Sequence, residues 1–206
     1  MEPVMTQPRD LVITTLEVAA SRPPGQGDLS LALAGAELID LLDARAARLE
    51  DDRIVPGENP ALDDRLLDEA LSSLPRQEPY ETVEEWLWRR GRGLAAVYLT
   101  ALASEGQITR QRRSRWLPFG ASRIVPADTP ARRSALERWA SDEPVLAVLG
   151  TAVGIRDQQS EGPPDVGDDA VATVLDAVQN ALRDLEAERQ RRSIEDAAFD
   201  NVWRGL

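Results

Sequence analysis

Residues 82–126 read TVEEWLWRRGRGLAAVYLTALASEGQITRQRRSRWLPFGASRIVP. Thr82 with Glu85 three residues on forms a capping box, in which each side chain reaches an otherwise unpaired backbone N–H at a helix start. The helix so opened runs through Trp86 and Leu87, and Gly91 and Gly93 break or kink it. A second helical segment, Leu94 to Ser104, stops at Gly106, a glycine placed as at a helix C-terminus. Arg110, Arg112, Arg113 and Arg115 then run into Trp116, Leu117, Pro118 and Phe119. Gly120 can turn the chain, which puts Ile124 and Val125 on a return strand. Helix, break, helix and hairpin predict a mainly α fold, a single helical domain with one protruding β-hairpin at about 107–126.

The flanks extend that reading. Residues 1–10 are expected to be a flexible N-terminal tail and 11–206 the folded domain, with Leu11 to Val18 as a first helix. Asp28 is a candidate N-cap for a helix carrying Leu31, Ala34, Leu38, Leu41 and Leu42 at helical spacing. Residues 51–59 are turn-like, with Ile54-Val55 a candidate short strand. Pro60 stands where a helix can begin, with Leu62, Leu66, Leu67, Ala70, Leu71 and Leu74 inward. Thr129-Pro130 starts another helix, and Asp142-Glu143-Pro144 starts the apolar one to Val153. After a Gly/Pro/Asp-rich loop, Asp168 begins a long helix with Val171, Leu175, Val178, Leu182 and Leu185 on one side. Phe199, Val202 and Trp203 suggest a docking turn at the end.

Composition narrows the chemistry. The chain has no Cys, no His and no Lys; all 24 basic residues are Arg, and the net charge is −12. No disulfide, thiolate, imidazole or Schiff-base chemistry is available, and no Ser-His-Asp triad can be built. The paired carboxylates Asp51-Asp52, Asp63-Asp64, Asp68-Glu69 and Asp168-Asp169 lack calcium-loop spacing and read as caps or outer helix faces. The expectation is no enzyme, no metal and no cofactor. No signal peptide is visible, and the longest apolar run, about Val145 to Ile155, falls short of the ~18 residues that span a bilayer. A cytoplasmic protein, peripheral at the inner membrane surface, is expected.

The arginine cluster inverts the overall charge locally. Guanidinium groups pair bidentately with phosphate, and aromatic side chains sit well at headgroup level. Arg110, Arg112, Arg113 and Arg115 are therefore candidate lipid-binding residues, with Trp116, Leu117 and Phe119 as the membrane-contact tip. The same arginines could instead be a solvated strand face, and the tip residues could pack inward. Arg89, Arg90 and Arg92 form a second basic group at the helix break. They could complement the negative end of the helix dipole or join the hairpin cluster in one patch. Trp86, Trp88 and Trp139 read as core residues.

Three stretches in order resemble the Golgi phosphoprotein 3 family, which has bacterial relatives: Leu66 to Trp86 (LLDEALSSLPRQEPYETVEEW), Leu33 to Leu41 (LAGAELIDL) and Leu102 to Pro126. The Arg-only composition fits a GC-rich bacterial genome. The resemblance implies a mainly helical adaptor that sits on membranes by binding phosphatidylinositol 4-phosphate; eukaryotic members retain glycosyltransferases in the Golgi. It also implies a hairpin that serves membrane contact and self-association. The family's phosphate pocket uses a Trp and three Arg. Arg92 falls on one of those arginines, and the other three positions carry Ala95, Ala34 and, near the loop Trp, Gly25.

The resulting expectation is a non-enzymatic adaptor that binds an anionic phospholipid headgroup, with a protein client and a homo-oligomer formed through the hairpin as further partners. Two alternatives stay open. One is a soluble interaction or regulatory protein that oligomerises through the hairpin without lipid. The other is a winged-helix-like nucleic-acid binder, disfavoured because Leu94 to Ser104 offers only Tyr98, Thr100 and Ser104 as polar readers and the chain is acidic.

Overall fold

The computed structural model describes residues 6–19, 23–57, 62–112, 122–157 and 166–204, without the side chains of 112, 122–123 and 197–204. Among these residues there are eight helices and two antiparallel strand pairs. In order they are α1 (Gln7–Val18), α2 (Gln26–Asp43), β1 (Ala47–Glu50), β2 (Arg53–Pro56), α3 (Arg65–Ser72), α4 (Val83–Arg90), α5 (Leu94–Ser104), β3 (Ile108–Arg112), β4 (Ser122–Pro126), α6 (Pro130–Ala140), α7 (Pro144–Ala152) and α8 (Asp169–Arg204). The mainly α reading holds.

Helix α2 is the axis of the fold. Its sequence, LSLALAGAELIDLL, is apolar on all sides, so the helix is stable only when surrounded. It packs against α1, α3, α4, α5, α7, α8 and β1. Gly35 is where α8 crosses it: a Cβ there would stand 2.3 Å from Cγ2 of Val178. Trp86 of α4 is fully buried, and its indole N–H donates to the carbonyl of Ala34 at 2.9 Å.

Local signals placed several elements correctly. The Thr82–Glu85 capping box is formed in both directions, at 2.9 and 3.1 Å. Thr129 and Glu143 cap α6 and α7, each followed by proline. Asp168 caps α8 by accepting from the amides of Ala170 and Val171.

Other expectations are corrected. The tail stops short of residue 10: α1 already runs from Gln7, with Pro8 in its first turn and Asp10 buried. Helix α2 starts at Gln26, so Asp28 lies in its first turn and pairs with Arg189 of α8 at 2.8 Å. Helix α3 starts at Arg65 because Asp64 accepts from the amides of Leu66 and Leu67; residues 58–61, including Pro60, lie outside the described residues. Ile54-Val55 is indeed a strand, but it pairs with Ala47–Glu50 into a hairpin additional to the expected one. The chain at 199–203 is not a separate turn, because α8 continues to Arg204.

A buried polar node joins α1 to α2, α6 and α7. The amide of Gln7 donates to Asp40 at 3.0 Å, its side chain donates to Glu143, and Arg138 pairs with Asp10. Three carboxylates thus face one guanidinium, and Oδ1 of Asp10 has no hydrogen-bond partner. Burial pushes Asp40 up to about 8, against the bond from Gln7, and Asp10 up to about 6, against the attraction of Arg138.

Candidate functional site

The two basic groups sit at opposite ends of α5. Gly91 closes α4, and Gly93 adopts a left-handed backbone with φ of 72°, a conformation that costs other residues energy. This tight turn leads straight into α5 and presents Arg92 to solvent. Helix α5 is 11 residues long, or about 16 Å. Beyond it, Gln107 anchors the hairpin: its amide donates to Leu102, its carbonyl accepts from Ala127, and its side chain accepts from the Thr129 hydroxyl at 2.7 Å. Ile108 is buried at the hairpin root, and Arg9 of α1 clamps Glu105 beside it. In the ladder Thr109 faces Val125, Arg110 faces Ile124, and Arg112 faces Ser122.

The candidate arginines fall into separate classes. Arg90 is built into the protein: its guanidinium makes bonds of 2.7 and 2.8 Å to both oxygens of Glu37, which is fully buried, and a third to the carbonyl of Leu66. The Tyr98 hydroxyl donates to the same Glu37 at 3.0 Å. Burial raises the Glu37 carboxyl above its usual range, and the Arg90 bonds oppose that rise. Arg89 binds both oxygens of Glu81 at 2.6 and 2.7 Å and lies over the Trp86 ring at 5.2 Å. Both arginines spend their donors on the protein itself.

Arg92 and Arg110 differ. Each is exposed, and neither makes an ion pair with a described residue. Arg112 belongs to β3 by its backbone, and its side chain is not described. Arg113, Arg115, Trp116, Leu117 and Phe119 lie outside the described residues. The structure therefore separates Arg92 from Arg89 and Arg90, which serve internal bonds.

The polar residues that hold this region were missed by the sequence reading. Glu37 was not singled out and Tyr98 only as a polar reader for nucleic acid, although Glu37 interrupts the apolar run LALAGAELIDLL, which is the signal for a buried charge with a partner. Among the described residues no group of carboxylates is placed to hold a metal ion. The expected core tryptophans are Trp86, fully buried, with Trp88 and Trp139 packed on the core edge. No described helix is long and apolar enough to cross a membrane.

The family model of Golgi phosphoprotein 3 (GPP34) matches residues 8–201, and the chain belongs to that family. No curated protein matches its sequence.

Proposed function

We propose that this Golgi phosphoprotein 3 family member is a non-enzymatic, peripheral membrane adaptor that binds anionic phospholipid. The observation that carries the reading is the contrast among its arginines. In a chain of net charge −12, Arg92 and Arg110 stand exposed without a carboxylate partner among the described residues, while Arg89 and Arg90 beside them are neutralised internally. An unpaired surface guanidinium keeps its full attraction for a headgroup phosphate, worth about 1 kcal/mol near an anionic leaflet. Arg112, Arg113, Arg115 and the tip residues Trp116, Leu117 and Phe119 join the proposed surface on their sequence alone. Phosphatidylinositol 4-phosphate is the headgroup that family membership suggests, and Arg92 is the residue that would contact its phosphate.

Sedimentation with vesicles tests the reading. Binding is expected to vesicles containing phosphatidylglycerol or phosphatidylinositol 4-phosphate, to weaken with salt, and to be absent with phosphatidylcholine alone. No binding to any anionic vesicle at low salt would overturn it. A shift in elution volume after replacing Trp116, Leu117 and Phe119 with Ser, in a protein that ignores lipid, would favour the oligomerising alternative.

A further inference from the structure

Helix α5 carries no charged residue at all, in a chain of which 29 % is charged. A buried helix needs none, but α5 is buried on one side only. Leu94, Ala95, Tyr98, Ala101 and Leu102 point into the core, whereas Ala96, Val97, Thr100, Ala103 and Ser104 are exposed. At 100° per residue those five occupy one continuous sector of about 120°. The outward side of an ordinary surface helix is charged or strongly polar. Here it is small and uncharged, with Val97 42 % exposed.

The two hydroxyls on this side do not need water. Thr100 donates to the carbonyl of Ala96 at 2.7 Å, and Ser104 donates to that of Ala101 at 2.7 Å. Their donors are satisfied within the helix, so moving the face out of water leaves no O–H unpaired. The nearest acidic residue in the sequence, Glu105, projects from the opposite side of the helix and is held by Arg9. Arg92 precedes the face at one end, and the hairpin with Arg110 follows it at the other.

We infer that the outer face of α5 is itself a lipid-contact surface, lying along the headgroup–acyl boundary of an anionic membrane with Arg92 and Arg110 on either side. This rests on the membrane reading above and adds where the protein touches and in what orientation. The flanking cations suit phosphate, and the uncharged strip between them suits the boundary beneath it. A second copy of the chain is a poor occupant. A strip of about 16 Å by one helix width supplies far less than the ~800 Å² per partner of a stable dimer.

The absence of native cysteine gives a clean test, because V97C labels at a single position with an environment-sensitive dye. On addition of vesicles of phosphatidylglycerol and phosphatidylcholine, the label at Val97 is expected to brighten and shift to the blue. The same label at Ser72 of α3, also exposed, is expected not to respond. V97E is expected to weaken vesicle binding about tenfold, from lost burial plus repulsion, while S72E changes it less than about twofold. A silent V97C label, or full binding by V97E while Arg110→Glu abolishes it, overturns this inference and leaves the membrane reading standing. A parent protein that binds no anionic vesicle overturns both. A V97C signal that rises with protein concentration in the absence of lipid overturns the inference in favour of self-association.

Discussion

The two hairpins are nearly equal in strand length and opposite in use. β1–β2 is closed by Asp51-Asp52 and lies against the body, with Ile54 and Val55 buried and its edge continued by residues 81–83, since Ile54 donates to the carbonyl of Glu81. Three arginines in or near it are answered by carboxylates: Arg89 by Glu81, Arg48 by Glu50, and, deeper, Arg90 by Glu37. β3–β4 is held at its root by Ile108 and Gln107, while Thr109, Arg110 and Gln111 are exposed. One hairpin completes the core. The other carries Arg110, which is exposed and makes no ion pair with a described residue. The comparison shows that a basic residue beside a helix break has no function readable from its identity; its partner decides.

The largest effect is expected where a buried charge would lose its answer. Arg90→Ala removes the cation that answers Glu37, which must then stay buried as an unpaired charge or take up a proton, and should cost about 3–5 kcal/mol in urea denaturation. Arg92→Ala, two residues along, should stay within about 0.5 kcal/mol. Equal losses would erase the distinction between structural and surface arginines. Next, Ile54→Ala should cost about 2–4 kcal/mol by leaving a cavity, whereas Ile124→Ala, on a half-buried strand, should cost under about 1 kcal/mol. If Ile124→Ala matched Ile54→Ala, the β3–β4 arm would be part of the core.

The polar node sharpens the same contrast with pH. Asp40 has a folded pKa of about 8, above its unfolded value, so its contribution to stability is complete at acid pH and is lost as pH rises through about 8. Stability should fall between roughly pH 4 and 8. Asp40→Asn keeps an oxygen to accept from Gln7, and should raise stability at pH 7 by roughly 1–3 kcal/mol while flattening that decline. A parallel pH profile in the variant would show that another group carries the linkage. The smallest expected effect is on binding: Arg110→Gln should weaken association with anionic vesicles about fivefold, near 1 kcal/mol, and leave unfolding unchanged.

Elements marked by local chemistry were legible. The capping box, Thr129-Pro130, the Glu143-Pro144 start and the stop at Gly106 depend on neighbouring residues only, and each stands where expected. β1 was not legible, because ARLE alternates over only four residues and has no β-branched side chain; it exists as the partner of Ile54-Val55. The start of α1 was misplaced because Gln7 and Asp10 are polar, and only Asp40, Glu143 and Arg138 from distant parts of the chain make their burial tolerable. The same holds for the candidate site. The arginines were visible as a set, but Glu37, some fifty residues earlier, is what removes Arg90 from it.

Helix α8 has 36 residues, a rod of about 54 Å, and Val178 on it meets α2 at Gly35, which has no side chain to hold the two apart. That contact sets how closely the rod lies on α2. With the helix pinned near Val171, a wedge of about 1 Å under Val178, as from a methyl group on residue 35, would swing the end near Arg204 by about 5 Å. The Arg189–Asp28 pair, 2.8 Å long, acts as a stay about halfway along the free arm. The aim of the C-terminal end is thus set by one missing carbon atom in the middle of the molecule.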